Sequence, residues 1–425
     1  MRLINEITVI IKKKSFPSFI DELYKRECDL LDLQHIEETG DGFLYTIRIA
    51  CDNVKRFEEF ITIINSAGDK YKFVSVKNVI EEHIVGGLLA VTGRMPIENI
   101  TDFNTSVLGA ADLMLEKIKS EDGKRYTSIA RSVGMVAGIR STDEAVREHL
   151  LHEYVDAERD AVILNRFSDL NGCPLAVRFE HPEDVLQVLK KIELNYSAVR
   201  ITRIDEATIM LYDMLFSDLT VPVVSLEHDD IPLLLLVFII KIMMKYRIKA
   251  EETTVGFIGI DLSSVRLTRV LDKIGFRRIL GFDHSEKAML ALENQGGLAT
   301  TAENIFGNAD ITILLKNNFD IEEYRKIRPG QFVISFMGDG GPDLEEISGK
   351  GVREFIQKSI SDLAVLYPGI LRGIIDAKIR NINDAKLVDY AKRMVVLLSD
   401  SFEFPHLFGD VHERVYKIIT QDKSK

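Results

Sequence analysis

The chain of 425 residues is too long for one ordinary domain, and 46% hydrophobic and 28% charged residues with no low-complexity tract supply material for several packed cores. Its formal net charge of -12 argues against a phosphate-binding surface, which needs clustered Lys and Arg, so no nucleic-acid partner is expected. Cys28, Cys51 and Cys173 lie far apart and in no C-x-x-C pattern, so neither a disulfide framework nor a thiolate metal site is indicated, and a reducing cytoplasm is the expected home.

Residues 1–81 read as a first domain. Strand-like Ile4 to Lys12 is followed by helix-like Phe16 to Arg26, strand-like Leu30 to Glu38, a turn at Thr39-Gly40-Asp41-Gly42, strand-like Phe43 to Ala50, an amphipathic stretch from Val54 to Ala67, and Lys72 to Val79. The order βαββαβ implies a four-stranded antiparallel sheet with both helices on one face, the ferredoxin-like plan.

Residues 82–230 read as an α/β domain, with helical stretches at Ala110 to Lys119 and Asp143 to Leu164 and strands at Leu175 to Phe179 and Ala198 to Ile201. The run IPLLLLVFII from Ile231 to Ile240 is too short to span a bilayer and is interrupted at Lys241, so no membrane partner is expected and the run is assigned to a buried helix. It opens a third domain, 231–425. There Thr253 to Gly259, Arg278 to Phe282, Ile311 to Leu315 and Phe332 to Phe336 read as strands separated by helices Val265 to Ile274 and Glu286 to Gln295, the pattern of a Rossmann-like, doubly wound parallel sheet.

A dinucleotide loop after the first such strand needs three glycines, for the tight turn, for close approach of the pyrophosphate and for helix packing. The stretch here is Gly259-Ile260-Asp261-Leu262-Ser263-Ser264, and only Gly259 is in place. Asp261 brings a carboxylate to the pyrophosphate's seat, and like charges about 4 Å apart repel by roughly 4 kcal/mol at an effective dielectric of 20. Asp283 stands where an acid would accept the ribose hydroxyls of NAD. The cofactor candidates are Gly256, Gly259, Asp261, Ser263, Ser264 and Asp283. Two readings follow: a fold kept for packing, with Asp261 capping the helix, or NAD or NADP in a shifted pose.

Tyr367-Pro368-Gly369-Ile370-Leu371-Arg372-Gly373 resembles the Phe-Pro-Gly stretch near the end of malic enzymes. Val221-Pro222-Val223 resembles the strand before that family's second acidic motif, His83-Ile84-Val85-Gly86-Gly87 resembles the entry to its catalytic domain, and Tyr126 falls at a tyrosine typical of its first helical region. The opening βαββαβ unit looks like an ACT domain, as in ACT-fused bacterial malic enzymes. The resemblance covers nearly the whole chain and implies a malate oxidoreductase using NAD or NADP and a divalent cation.

The family's catalytic residues do not carry over. Its acid tyrosine aligns with Val107, its base lysine with Asp160 in Glu158-Arg159-Asp160-Ala161, and a further lysine with Asn165. Its Glu-Asp metal ligands become Thr202-Arg203, and a fixed cation there opposes a divalent metal. The second acidic motif aligns without gaps with Ser225-Leu226-Glu227, whereas a local slip would bring His228-Asp229-Asp230 into register, which leaves Glu227, Asp229 and Asp230 as weak metal candidates. One substrate-positioning asparagine aligns near Asp339 and another with Leu363 or Asp362.

The expected function is therefore a non-catalytic malic-enzyme-like scaffold with an ACT sensor, with Arg131, Arg200, Arg203 and Asp339 as ligand candidates; the arginines would either hold a carboxylate or phosphate or sit in ion pairs. The alternatives are a working oxidoreductase on malate or a related 2-hydroxy acid with substitute residues, and a regulatory partner of a true malic enzyme. The resemblance further implies a homodimer or higher homo-oligomer and a small effector, an amino acid or dicarboxylate, near Lys14-Ser15-Phe16-Pro17-Ser18.

Overall fold

The computed structural model describes residues 3–79, 88–89, 97–119, 123–140, 146–203, 217–316, 326–337 and 349–421. The chain divides into two compact units, Met1–Ala90 and Val91–Lys425.

The first unit contains β1 (Leu3–Ile11), α1 (Phe16–Tyr24), β2 (Asp29–Thr39), β3 (Gly42–Cys51), α2 (Val54–Ser66) and β4 (Tyr71–Asn78). Its sheet runs β2-β3-β1-β4, antiparallel throughout, as the ferredoxin-like plan requires. Thr39 pairs with Gly42, so Gly40-Asp41 form a two-residue hairpin turn. Alternation along β1 points Ile7, Val9 and Ile11 inward, where Phe19 and Leu23 of α1 and Phe60 and Ile64 of α2 meet them, so both helices cover one face.

One expectation is corrected in this unit. Cys28 and Cys51 form a disulfide with a Cα–Cα distance of 4.6 Å. Their separation of 23 residues hides the contact in the sequence, but the β2–β3 hairpin folds the chain back on itself and pairs Asp29 with Ala50, next to both cysteines.

The second unit holds two parallel sheets. The first comprises β5 (Ser132–Arg140), β6 (Asn171–Phe179), β7 (Ala198–Arg203) and β8 (Val223–Ser225) in the order β6-β5-β7-β8. Before it comes α3 (Ala110–Ile118), and α4 (Val146–Ser168) and α5 (Pro182–Ile192) join its strands. Val185 and Leu189 of α5 pack on Val136, Val199 and Ile201, which leaves the opposite sheet face to α4. Strand β5 was not anticipated from sequence, because glycine and alanine dilute its β-branched pattern. Those small residues serve close packing: a Cβ on Gly134 would lie 3.3 Å from Leu175 and Tyr196.

After α6 (Ile231–Tyr246), which is buried from Ile231 to Ile240 as expected, comes the second sheet. Its strands are β9 (Thr254–Ile258), β10 (Arg278–Phe282), β11 (Leu298–Ala299), β12 (Ile311–Leu314), β13 (Phe332–Ser335) and β14 (Glu354–Gln357). They run β11-β10-β9-β12-β13-β14, all parallel, the strand order of a Rossmann sheet. Helices α7 (Leu262–Lys273), α8 (Glu286–Glu293) and α9 (Ala302–Asn308) connect the first strands, and α10 (Tyr367–Ala377), α11 (Asp384–Met394) and α12 (Val411–Thr420) close the chain. No helix among the described residues is long and apolar enough to cross a membrane.

Candidate functional site

Alternation along β7 sends Val199 and Ile201 into the apolar layer beneath α5 and turns Arg200 and Thr202 toward α4. Arg200 is 0% exposed. Its guanidinium is hydrogen-bonded to Asp230 through Nη1, lies 3.7 Å from Asp160 Oδ2 through Nε, and stacks on the Tyr367 ring with 4.1 Å to the centroid. The Tyr367 hydroxyl donates to the Asp160 carbonyl at 2.9 Å, tying the start of α10 to α4. Arg200 Nε and Nη2 have no hydrogen-bond partner, whereas the Thr202 hydroxyl donates to the Val136 carbonyl at 3.0 Å.

Burial pushes the Asp230 carboxyl up to about 6, with Arg200 opposing that rise. Burial alone would lower the Arg200 pKa, but Asp230 and Asp160 outweigh it and hold the guanidinium charged. Burial, reinforced by Asp160, pushes the Tyr367 phenol far up and keeps it neutral. The cluster is thus a fixed cation between two carboxylates, closed off by an aromatic ring.

Asp230 reaches this position because residues Leu226–Asp230 form a wide π-helical turn between β8 and α6. The turn buries His228, Asp229 and Asp230, whereas Glu227 stays half-buried. Asp229 accepts the Ser225 N–H at 2.7 Å and pairs with Arg266 Nη1 at 2.5 Å, and its other neighbour is His228 at 3.1 Å. Burial would raise Asp229, but His228 and Arg266 bring it below the ordinary carboxylate range. Arg266, 2% exposed, also donates to the His228 and Ile382 carbonyls and faces Asp384 at 3.5 Å. Asp384 further accepts from Arg269 at 2.8 Å and Lys273 at 2.6 Å. Sequence reading missed Arg266 and Asp384, which lie over a hundred positions apart and carry no local motif.

Among the described residues no group of three or more His, Cys, Asp or Glu side chains is placed to hold a metal ion. Each buried carboxylate of the turn is paired with a guanidinium, Asp230 with Arg200 through Oδ2 and Asp229 with Arg266, while Asp230 Oδ1 has no hydrogen-bond partner, and a metal on Asp230 would face the Arg200 charge.

In the glycine loop most polar groups bond within the chain. Asp261 is the N-cap of α7: its carboxylate accepts the Ser264 N–H at 2.9 Å, and Ser264 Oγ accepts the Asp261 N–H at 2.9 Å. The carboxylate therefore occupies the anion seat of this helix N-terminus, and burial raises its pKa despite the Ser264 bond. Asp283 accepts the Ile260 and Ser285 N–H groups at 2.8 and 2.9 Å, bonds that overcome burial and lower its pKa. Lys316 Nζ lies 3.5 Å from Asp283 and donates to the Ile260 carbonyl at 2.6 Å, so it bridges the loop to Asp283. Gly259, at φ +81°, is pressed against Lys316: a Cβ there would stand 2.6 Å from the Lys316 backbone nitrogen. Gly256 faces the core, where a Cβ would meet Ile305 at 2.4 Å. Ser263 is buried and its hydroxyl has no hydrogen-bond partner. Asp261 and Lys316 thus each bond to groups of the loop itself.

The other candidates are dispersed. Val107 is half-buried in the helical turn Phe103–Gly109, and Asn165 Oδ1 accepts the Gly172 N–H at 2.7 Å, tethering α4 to β6. Arg131 pairs with Asp169 at 3.1 Å. Arg203 closes β7 with its side chain outside the described set, and Asp339 lies outside the described residues, as do the segments 83–87 and 338–342.

No family model matches the chain. NAD-dependent malic enzyme 1 of Bacillus subtilis (strain 168) is 24% identical over 401 residues, covering 90% of each protein. The NAD-dependent malic enzyme of Geobacillus stearothermophilus is 19% identical over 441 residues, covering 96% of this chain and 91% of that one. Among solved structures, the NAD-dependent malic enzyme of Thermotoga maritima superposes with a TM-score of 0.67 at 16% identity, over 81% of this chain and 99% of that one, a likeness of fold.

Proposed function

We propose that the chain, similar over most of its length to NAD-dependent malic enzymes, is a non-catalytic member of their family, a small-molecule-binding or regulatory scaffold. The observation that carries this reading is Arg200, buried between Asp160 and Asp230. A permanent guanidinium holds the carboxylates, and Asp160 stands in place of the base lysine, so the cluster offers neither a neutral amine to take a proton nor a free ligand set for a Lewis acid.

NAD is the nucleotide to test, because both curated relatives are named NAD-dependent. When bound, it would accept a hydride. In this chain Asp261 and Lys316 occupy the loop, so any NAD must bind in a shifted pose.

On the same reading, residues 1–81 are an ACT-type sensor for an amino acid or dicarboxylate, and 82–230 and 231–425 are the two halves of a malic-enzyme body. The protein is a homodimer or higher homo-oligomer. Self-association is supported by apolar side chains left exposed before and along α3, among them Ile100, Leu113 and Leu115.

The test is an assay of the purified full chain with malate, NAD and manganese. No reduced nucleotide is expected, and turnover above about 1 per second, the low end of ordinary enzymes, would overturn the proposal in favour of an oxidoreductase with substitute residues. That second reading is favoured by the coverage of the Bacillus subtilis enzyme, 90% of both chains.

A further inference from the structure

A separate cavity of about 880 Å³ lies at the opposite end of the β5-β7-β8 sheet. Its walls are the residues that lead into three parallel strands, Arg131 before β5, Tyr196 before β7 and Pro222 before β8, together with the C-terminal end of α10 and the loop after it. Because the strands are parallel, all three entries fall on the same edge, away from the Leu226–Asp230 turn that follows β8. None of the catalytic or nucleotide positions discussed above reaches it.

The charge of this cavity runs against that of the chain. Four cations, Arg125, Arg131, Lys378 and Arg380, line it with one carboxylate, Asp376, although the protein carries a net charge of -12. Among the described residues, Arg125, Lys378 and Arg380 have no carboxylate partner. Arg380 is instead oriented by donating from Nη2 to the Leu219 carbonyl at 2.7 Å. Only Arg131 is ion-paired, with Asp169, and that pair is largely solvent-exposed and weak. Asp376 is engaged by the Tyr416 hydroxyl. Cations that repel one another around a concave surface raise the local concentration of anions, and guanidinium forks match carboxylate or phosphate oxygens in pairs. The cavity is too large for one inorganic ion and is of the size that takes a metabolite.

We propose that this cavity is a binding site for a small organic polyanion bearing several carboxylate or phosphate groups. Arg125, Lys378 and Arg380 supply the charge, and Arg131 joins them by exchanging Asp169 for the ligand. The site stands independently of whether the Arg200 cluster is catalytically silent. It shares α10 with that cluster, since Tyr367 at the start of the helix stacks on Arg200 while Asp376 near its end lines the cavity.

Citrate, a tricarboxylate, and pyrophosphate are the probes, titrated calorimetrically into the full chain at low salt. At least one is expected to bind, and which one does tells carboxylate from phosphate. The doubly substituted Arg125→Ala, Lys378→Ala protein should bind it at least about tenfold more weakly, since hydrogen bonds to charged groups are lost. Arg269→Ala with Lys273→Ala, at the other cationic cluster, should leave binding unchanged. A footprint avoids dependence on variants: the bound probe should shield exposed Lys378 from acetylation and leave Lys273 reactive. Absence of binding by both probes, or binding that ignores the first double substitution and does not shield Lys378, would overturn the proposal.

Discussion

Arg200→Met tests whether a buried guanidinium organises the centre of this protein. The substitution removes a cation that is 0% exposed and leaves Asp230 and Asp160, 0% and 5% exposed, without it. Breaking a buried pair at one partner costs about 3–5 kcal/mol, and the cost here should depend on pH. Burial already places the Asp230 pKa at about 6, above its unfolded value, with Arg200 holding it down. A carboxyl raised in the folded state contributes stability that is fully present below the unfolded pKa and lost as pH rises through the folded pKa. In the native protein that loss ends near pH 6. Without Arg200 the folded pKa climbs further, so the variant goes on losing about 1.4 kcal/mol per pH unit where the native protein is level. Urea unfolding followed by circular dichroism at pH 5.5, 7 and 8, as round figures spanning the titration, should show a destabilisation that widens with pH. The double variant Arg200→Met, Asp230→Leu, which leaves neither of those charges, should recover most of the stability at pH 8. A constant difference at all three values, or a double variant no more stable than the single one, would refute the picture of a buried ion pair.

Other outcomes follow from the same geometry. Replacing Asp261 and Ser264 by glycine frees the α7 N-terminus at a cost of a few tenths of a kcal/mol at the cap and up to about 1 kcal/mol for a glycine within the helix, and NAD affinity measured by calorimetry should rise at least about tenfold; unchanged affinity would show that Asp261 is not what bars the pyrophosphate. Burial would raise Asp384, but hydrogen bonds from Arg269 and Lys273 bring it to about 2, so its stabilisation is present above the unfolded pKa and lost as pH falls from about 4 to 2. Asp384→Asn should remove about 2 kcal/mol at neutral pH and flatten that part of the acid denaturation curve. Reducing Cys28–Cys51 should lower the stability of the first unit by about 3 kcal/mol for a loop of this length, and alkylation of unreduced, denatured protein should modify Cys173 alone.

Much of the architecture was legible because it is written in local periodicity. Alternating residues in β1 and β3, the Gly40-Asp41 turn and the apolar run of α6 each report on neighbours within one element, and the structure follows them closely. The order of strands and helices was enough to expect both the ferredoxin-like unit and the parallel Rossmann sheet. Strand β5 escaped because its glycines and alanines serve the approach of neighbouring elements, as Gly134 does beneath Tyr196, and not an intrinsic β preference.

The loop at Gly259 shows the boundary most clearly. From sequence, Asp261 marks a missing glycine; in three dimensions it is the anion that the helix N-terminus binds, and Asp283 and Lys316 lock the same loop from strands on either side. From sequence, the resemblance implied Val107, Asp160 and Asn165 at the family's catalytic positions, one residue at a time. That Arg200 stands between Asp160 and Asp230 depends on β7, α4 and a π-helical turn meeting, since buried charges are set by partners far apart in the chain. Sequence by itself determined which elements form, because hydrogen bonding and side-chain alternation are local. Tertiary structure alone decided which charges are answered inside the protein and which, at Arg125, Lys378 and Arg380, are left facing a cavity, because Coulomb interactions and desolvation follow distance in space.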